Sequence, residues 1–144
     1  TGDVQLTLVQ TIPLTGAVIV TTPQDVSLAD VRRGVRMFQK VNVPIMGVIE
    51  NMSYFICSHC GNREEIFSHG GGKKTAEAFG VPFLGEIPLY TPIRIGGDTG
   101  RPIVLSEPES EQAQMIQMVS RKLAAQISIT NMSAAKKPKI EIEM

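Results

Sequence analysis

Two cysteines separated by two residues are the feature of this sequence with the clearest chemistry. Cys57 and Cys60 are the only two cysteines among 144 residues. Two intervening residues let both sulfurs point to one side, where they can ligate one metal at a distance of ~2.3 Å. The same spacing also forms redox disulfides, in which the first thiol has a lowered pKa. Gly61 follows directly and suits the tight turn that such a motif needs.

The position of the cysteines favours metal binding over redox chemistry. Thioredoxin-type motifs lie at the start of a helix that closely follows a strand. Here the pair lies in an irregular segment, residues 52–67, with Tyr54, Phe55 and Ile56 before it and Ile66 and Phe67 after it. This arrangement predicts a small hairpin insert that presents the two sulfurs at its tip.

The number of ligands points to more than one copy of the chain. Zinc and iron–sulfur sites usually have four protein ligands, and this chain offers two cysteines. His59 is expected to point away from the pair, and His69, a third candidate, is more typical of a loop histidine beside a glycine turn. A symmetric dimer is the simplest source of four thiolates. A site on a two-fold axis would be exposed and labile, which suits a metal or cluster that is handed on.

The cysteine motif interrupts a regular alternation of strands and helices. Residues 17–49 read as strand, helix, strand, a βαβ unit with parallel strands and a right-handed crossover. The whole pattern predicts an α/β chain with a mostly parallel sheet, one domain over residues 1–129 and a disordered tail over 130–144. The predicted elements are a helix over 4–14 with Asp3 as N-cap, a strand over 17–22 buried on both faces, a helix over 28–40 capped by Ser27, a strand over 45–49, a helix over 73–79, a strand over 83–87, a loop-rich stretch over 89–110 with a short edge strand at 103–105, and a helix over 109–127.

Two segments lie where the predicted strands end. Asn51 comes just past the strand over 45–49, and Pro88 with Leu89 just past the strand over 83–87. Ligands bind outside the carboxyl ends of strands in open parallel sheets. An Asn amide offers a donor and an acceptor to a purine edge, although Asn after a strand is also common in turns.

The glycine-rich segment His69–Gly72, followed by Lys73 and Lys74, superficially resembles a phosphate loop. It lacks the GxxxxGK[ST] spacing and is therefore interpreted as a connection and a helix start. The acidic residues fall mostly on helix faces and are interpreted as solvated surface. No serine–histidine–aspartate set with a nucleophile signature is present.

Composition excludes several classes of function. Fourteen basic residues balance 14 acidic ones, so there is no electrostatic reason to expect nucleic acid or an anionic membrane surface as a partner. No stretch approaches ~18 uninterrupted apolar residues, the length of a membrane-spanning helix. Two cysteines are also too few for a disulfide scaffold.

Taken together, these residues resemble the Mrp/ApbC family of iron–sulfur cluster carrier ATPases, a MinD-like branch of the P-loop NTPases. The resemblance runs from Thr1 to about Ala125 and rests on several blocks in the same order. The matching blocks are TGDVQLTL at 1–8, VTTPQDV at 20–26, VIENMS at 48–53, CSHCG at 57–61, IF with HGGG at 66–72, FLGEIPL at 83–89, and Arg94, Gly97-Asp98, Gly100 and Pro102–Val104.

The resemblance implies a three-layer P-loop NTPase-like fold and a role for each candidate residue. Cys57 and Cys60 resemble the ligands of a 4Fe–4S cluster that bridges a homodimer. Asn51 resembles the adenine-contacting Asn, and Pro88-Leu89 the segment that lines the base pocket. Thr1-Gly2-Asp3 resembles the end of the switch II segment, which follows the Walker B aspartate and senses the γ-phosphate; Gly2 and Asp3 are its candidate residues here.

The chain departs from the family in the residues that hold phosphates. The glycine-rich phosphate loop with its Lys and Ser/Thr, the switch I aspartate and the Walker B aspartate are not found in it. We therefore expect the phosphate-binding portion upstream, ATP and Mg in the full-length protein only, and no ATP hydrolysis by this chain alone.

The leading hypothesis is an ATP-dependent iron–sulfur cluster scaffold or carrier that passes its cluster to apo iron–sulfur proteins. Reduced cysteines and the lack of a targeting segment suit a bacterial-type cytoplasm, while the family also has organellar relatives. A non-enzymatic zinc-knuckle interaction module is the alternative, and a thiol–disulfide oxidoreductase is a third hypothesis.

Overall fold

A computed structural model describes residues 2–57 and 59–135 of the chain, and the side chains to residue 133. Helices and strands alternate along most of its length. The elements are α1 (Asp3–Thr11), β1 (Ala17–Thr21), α2 (Asp25–Lys40), β2 (Ile45–Ile56), β3 (Arg63–Glu64), α3 (Gly71–Phe79), β4 (Phe83–Leu89), α4 (Thr91–Thr99), α5 (Ile103–Ser106) and α6 (Glu111–Ala135). This is the mixed α/β architecture that the strand and helix patterns predict.

The central strand of the sheet is β2. It pairs in parallel with β1 on one side and with β4 on the other, and its far end pairs antiparallel with β3. Within the described residues, β1 has no second neighbour. The prediction of a strand buried on both faces is wrong for β1: Ile19 and Thr21 are buried on one face, while Val20, which points to the opposite face, is 57% exposed.

Helices cover both faces of the sheet, which gives three layers. On one face, Ile19 and Val48 pack with Val35 of α2 and Ala76 of α3 in the hydrophobic core. On the other face α6 packs so closely that a Cβ at Gly85 would lie 2.8 Å from the Val119 side chain. Successive strand residues point to opposite faces, so Gly85 faces α6 while Glu86 faces the α3 side.

The first two helices have other N-cap residues than the sequence predicts. Asp3 lies in the first turn of α1 and the N-cap is Gly2, which makes no side-chain cap. The second helix begins at Asp25 with Gln24 as its N-cap. The Ser27 hydroxyl instead lies 3.0 Å from the Thr21 hydroxyl and ties the first turn of α2 to the end of β1.

The stretch over 89–110 is not loop-rich but holds two helices. In α4, Pro near the start and a left-handed Gly100 at the end provide the usual boundaries of a helix, in spite of its internal glycines. The predicted edge strand at 103–105 is wrong: it is the short helix α5, entered through Pro102. Ile103 is buried there and Leu105 is 69% exposed.

The last helix is longer than predicted at its C-terminal end. It begins at Glu111 and runs to Ala135, so residues 130–135, predicted as disordered tail, are helical. The Thr130 hydroxyl donates to the Met46 sulfur at 3.6 Å, which ties this part of α6 to β2. The rest of the predicted tail, residues 136–144, lies outside the described residues. No described helix combines the length and apolar character that crossing a membrane requires.

Candidate functional site

Cys57 and Cys60 occupy the turn between β2 and β3, and the predicted hairpin is present. The Cys57 N–H donates to the Asn62 carbonyl at 2.9 Å, and the Gly61 N–H donates to the Cys57 carbonyl at 2.8 Å. Gly61 has a φ of +72°, a left-handed conformation that glycine adopts without strain. The turn is therefore closed by its own backbone and does not need the sulfurs to hold its shape.

The environment of Cys57 favours the thiolate form of its side chain. Hydrogen bonds from the Cys60 and His59 backbone N–H groups, and from the Cys60 thiol, lower the pKa of Cys57 below that of an ordinary cysteine. Cys57 is half-buried and Cys60 is exposed, and both are free thiols. Two free thiols in one turn, one of them with a lowered pKa and the other exposed, could supply two of the ligands of a thiolate metal site.

The sequence predicts that Asn51 lies just past the end of its strand. In the structure, Asn51 instead lies inside β2. The regular parallel register nevertheless stops there: Asn51 pairs with Ile87, and the register with β4 then shifts before Phe55. Met52 has a φ of +53°, and its N–H donates to the Asn51 side-chain oxygen at 2.9 Å. Asn51 therefore marks the end of the parallel part of the sheet, although the strand continues into the hairpin.

Pro88 and Leu89 are likewise the last two residues of β4 rather than residues beyond it. Pro88 is buried and Leu89 half-buried. Leu89 pairs with Phe55, on the far side of the register shift from Asn51. The two predicted base-contacting segments thus lie on neighbouring strands at the same end of the sheet.

Gly2 and Asp3 lie at the start of α1, beside α2. A Cβ at Gly2 would lie 3.2 Å from the Met37 sulfur. Gly2 lines a cleft of about 820 Å³ between α1, β1 and α2, but the residues lining that cleft do not include Asn51, Pro88 or Leu89. Within the described residues, the predicted site residues therefore form separate groups rather than one pocket.

Glu50 is a buried polar residue that the sequence analysis missed. Its side chain has no exposed surface. Its carboxylate accepts hydrogen bonds from the Ser53 hydroxyl at 2.6 Å, the Gly70 N–H at 3.2 Å and the Gly72 N–H at 2.5 Å. The lone carboxylate within the apolar run of β2, directly before Asn51, is the signal that could have revealed it.

This contact also explains the glycine-rich segment. Gly70 is the left-handed N-cap of α3, and Gly72 lies in its first turn. The interpretation of residues 69–72 as a connection and helix start is confirmed. The positive end of the α3 dipole and two of its free N–H groups face the Glu50 carboxylate, which compensates for the burial of its charge.

A second polar group surrounds Arg63 on β3. The guanidinium lies over the Tyr54 ring at 3.8 Å from its centroid. Its Nη2 lies 3.3 Å from His69 Nδ1 and 3.4 Å from Glu86 Oε2. Burial raises the pKa of Tyr54, and the nearby Arg63 charge partly offsets that effect.

Glu50, His69 and Glu86 together have the composition of a metal site. One ligand atom from each lies within 4.8 Å of the others. The Arg63 guanidinium, however, already contacts His69 and Glu86 and supplies a positive charge to this group. His69 contacts Arg63 and Glu65 through its Nδ1 atom. The cysteine turn is therefore the better candidate for a metal or cluster.

A family model of the ParA group, described as the NUBPL iron-transfer P-loop NTPase, matches residues 1–124. The chain belongs to this family. The predicted resemblance to Mrp/ApbC carriers and MinD-like P-loop NTPases is thereby confirmed.

Relatives of the family are similar over most of this chain. The iron–sulfur cluster transfer protein NUBPL of Dictyostelium discoideum is 52% identical over 131 residues, which cover 91% of this chain and 41% of the relative. The iron–sulfur cluster carrier protein of Escherichia coli K12 is 50% identical over 127 residues, 88% of this chain and 34% of the relative. The chain thus spans well under half the length of these two NUBPL-family relatives.

Solved structures agree on the fold. A nucleotide-binding protein from Archaeoglobus fulgidus in complex with ADP superposes with a TM-score of 0.63 at 34% identity, covering 77% of this chain and 44% of that one. The cell division ATPase MinD of Pyrococcus furiosus superposes with a TM-score of 0.57 at 26% identity, covering 80% of this chain and 43% of that one. The NUBPL-family chain therefore has a MinD-like P-loop NTPase fold over its matched part.

Proposed function

We propose that this NUBPL-family chain is part of an iron–sulfur cluster carrier, in which Cys57 and Cys60 hold the cluster for transfer to apo iron–sulfur proteins. The observation that carries the proposal is the turn itself: a hairpin that holds two free cysteines, Cys60 exposed and Cys57 half-buried with a lowered pKa. A thiolate is the form that ligates iron, and lowering the pKa of a thiol increases its thiolate fraction near neutral pH.

Two copies of the chain would complete the site. Each copy supplies two of the four thiolates that a 4Fe–4S cluster usually takes. A homodimer that brings two hairpin tips together provides four thiolates around a two-fold axis. The cargo would then lie at a surface junction rather than in a closed core, which favours its release to an acceptor protein.

The second part of the proposal concerns nucleotide binding. Asn51 would hold the adenine edge, with Pro88 and Leu89 beside the base, while Gly2 and Asp3 would belong to the segment that senses the γ-phosphate. ATP with Mg would be bound and hydrolysed by a longer chain that also carries the glycine-rich phosphate loop. This chain superposes on the ADP-bound neighbour over 77% of its length. Because ligands bind at the carboxyl ends of strands in parallel sheets, this likeness supports a nucleotide at the carboxyl ends of the parallel parts of β2 and β4. A bacterial-type cytoplasmic setting is part of the same proposal, with neither nucleic acid nor membrane as a partner.

Anaerobic reconstitution with ferrous iron and sulfide tests the cluster. The proposal expects a brown protein with a broad visible absorbance, about four iron atoms for every two chains, and a dimer by sedimentation. Cys57→Ala and Cys60→Ala should each abolish the colour, while His59→Ala, in the same turn, should retain it. A colourless protein that binds zinc tightly through the same cysteines would instead establish the zinc-knuckle module, because its turn geometry is equally suitable.

Two further assays separate the remaining alternatives. A phosphate-release assay on this chain should give no turnover above background, since the residues that hold phosphates are not in its sequence. An insulin-reduction assay should be negative, because the cysteine pair lies in a hairpin and not at a helix N-terminus. Activity in the second assay would favour a thiol–disulfide oxidoreductase.

A further inference from the structure

The hairpin that carries the cysteines has little backbone pairing of its own. Its second strand, β3, is only Arg63 and Glu64, both exposed. It pairs with Phe55 and Ile56 of β2 and with nothing else among the described residues. A two-stranded ribbon of this size is not stable in water by itself. Contacts outside the ribbon must therefore hold the cysteine turn in place.

Arg63 makes these contacts from a position next to the turn. It pairs with Ile56, the residue directly before Cys57. The preceding residue, Asn62, accepts the hydrogen bond from the Cys57 N–H at 2.9 Å. A shift of Arg63 would therefore displace Asn62, the backbone partner of Cys57.

The groups that hold Arg63 are themselves fixed in the fold. Tyr54, under the guanidinium at 3.8 Å, is 8% exposed, and its hydroxyl donates to the Met115 sulfur of α6 at 3.6 Å. Glu86, which accepts from Arg63 at 3.4 Å, lies on β4 and is half-buried. One guanidinium thus links the hairpin to α6 through Tyr54 and to the parallel sheet through Glu86.

We propose that Arg63 is a positioning residue for the Cys57–Cys60 pair, acting by fixing the hairpin against Tyr54 and Glu86. The proposal rests on the proposed function only in taking the two cysteines as a ligand set. Arginine suits this role because its planar fork stacks on the ring and donates to the carboxylate at the same time. Glu86 precedes Pro88 and Leu89 on β4, so the same link joins the cysteine hairpin to the strand proposed to line the base pocket.

Cobalt(II) binding to the reduced chain provides a test that does not need cluster transfer. The probe is the cobalt ion alone, followed by its thiolate charge-transfer absorbance. Arg63→Gln should weaken the apparent affinity for cobalt roughly three- to tenfold, the loss expected for a cation–π contact and a half-exposed ion pair. Arg63→Lys should restore part of it. Arg33→Gln is the matched control, because Arg33 forms an exposed ion pair with Asp30 at 3.3 Å on α2.

Glu86 gives an internal check through a double-mutant cycle. Glu86→Gln should weaken cobalt binding, and adding it to Arg63→Gln should cost little more, because both changes break the same contact. Amide exchange at Cys57 and Gly61 should accelerate in Arg63→Gln but not in Arg33→Gln. If Arg63→Gln changes neither the cobalt affinity nor the amide exchange at the turn, the proposal is overturned. A lower urea midpoint would not rescue it, because Arg63 would then stabilise the fold without positioning the cysteines.

The two proposals fail in different ways. If cobalt binds equally well to Cys57→Ala, the cysteines are not the ligand set and the proposed function is contradicted. Amide exchange at the turn still decides the role of Arg63 in that case, since it measures the hairpin without any metal.

Discussion

The Gly72 N–H donates a 2.5 Å hydrogen bond to Oε2 of Glu50 and so joins the first turn of α3 to the centre of the sheet. The residue after Glu50 is Asn51, the candidate adenine contact, and the loop before Gly72 contains His69, a neighbour of the cysteine hairpin through Arg63. The buried Glu50 carboxylate therefore connects the segment of β2 that contains Asn51 to the loop that contains His69 and neighbours the cysteine hairpin.

Replacing Glu50 should destabilise the fold strongly. Glu50→Ala leaves the N–H groups of Gly70 and Gly72 and the Ser53 hydroxyl without their acceptor, which should lower the free energy of unfolding by about 3 kcal/mol or more. Glu50→Gln keeps one acceptor oxygen and should cost about half as much. Urea unfolding measures both. Glu77→Ala, at an exposed position on α3, should change stability by less than about 0.5 kcal/mol. Equal effects of Glu50→Ala and Glu77→Ala would contradict the assigned contacts.

Two glycine-to-alanine changes should act in opposite directions. A Cβ at Gly72 would lie 3.1 Å from the Glu50 side chain and 3.2 Å from Thr21 Cγ2. Gly72→Ala should therefore destabilise by about 1–3 kcal/mol through overpacking. Gly34 in α2 has nothing within 4 Å of the same position. Gly34→Ala should stabilise by about 0.5–1 kcal/mol, because alanine loses less backbone entropy on folding. Thermal unfolding of the two variants side by side tests the pair, and a stabilising Gly72→Ala would show that the site is looser than described.

The thiol of Cys57 should titrate at lower pH than an ordinary cysteine. Its alkylation rate, measured against pH in Cys60→Ser, should rise with a midpoint below that of a free cysteine peptide, because backbone N–H groups of residues 60 and 59 bond to the sulfur. Cys60→Ala also removes the side-chain donor, so its midpoint should lie above that of Cys60→Ser. A lowered folded-state pKa contributes stability above the unfolded pKa, and that contribution is lost as the pH falls through the folded value. A midpoint equal to that of the free peptide would remove the electrostatic support for the cluster proposal.

The Tyr54 phenol should titrate above its ordinary value. Burial is the main cause of the raised pKa of Tyr54, and the Arg63 charge opposes it. In a Tyr90→Phe background, which leaves Tyr54 as the only tyrosine, ultraviolet titration should show a midpoint above 10.0, the ordinary value. Adding Arg63→Gln should raise the midpoint further, while Arg33→Gln should not.

The stability consequence of this titration has a definite sign. The folded chain binds the phenolic proton of Tyr54 more tightly than the unfolded chain does. The contribution of this proton to the free energy of unfolding is therefore present below pH 10 and is lost as the pH rises through the folded-state pKa. An Arg63→Gln midpoint at or below the unsubstituted one would show that the guanidinium does not lie over the ring in solution.

The local sequence pattern alone determined the βαβ unit, the candidate ligand pair and the family of this protein. The apolar runs of β1 and β2 and the helical spacing of α2 indicate a βαβ unit, because continuous apolar runs on either side of an amphipathic helix are typical of neighbouring strands in a parallel sheet. The spacing of Cys57 and Cys60 likewise identifies the candidate ligand pair, since two intervening residues suffice to bring the sulfurs together. The sequence blocks around them also identify the family.

Only the tertiary structure decided the features that depend on distant partners. Residues 103–105 are β-branched at two positions, yet they form α5, which begins after Pro102 and packs against α4 and α6. Residues 130–135 continue α6, where Thr130 contacts Met46. The sequence around Glu50 and Arg63 does not identify the partners of either residue. Their roles come from Gly72, 22 residues away, and from Glu86, 23 residues away. Contacts between residues more than 20 positions apart leave no periodic pattern in the sequence, so only the fold brings such partners together.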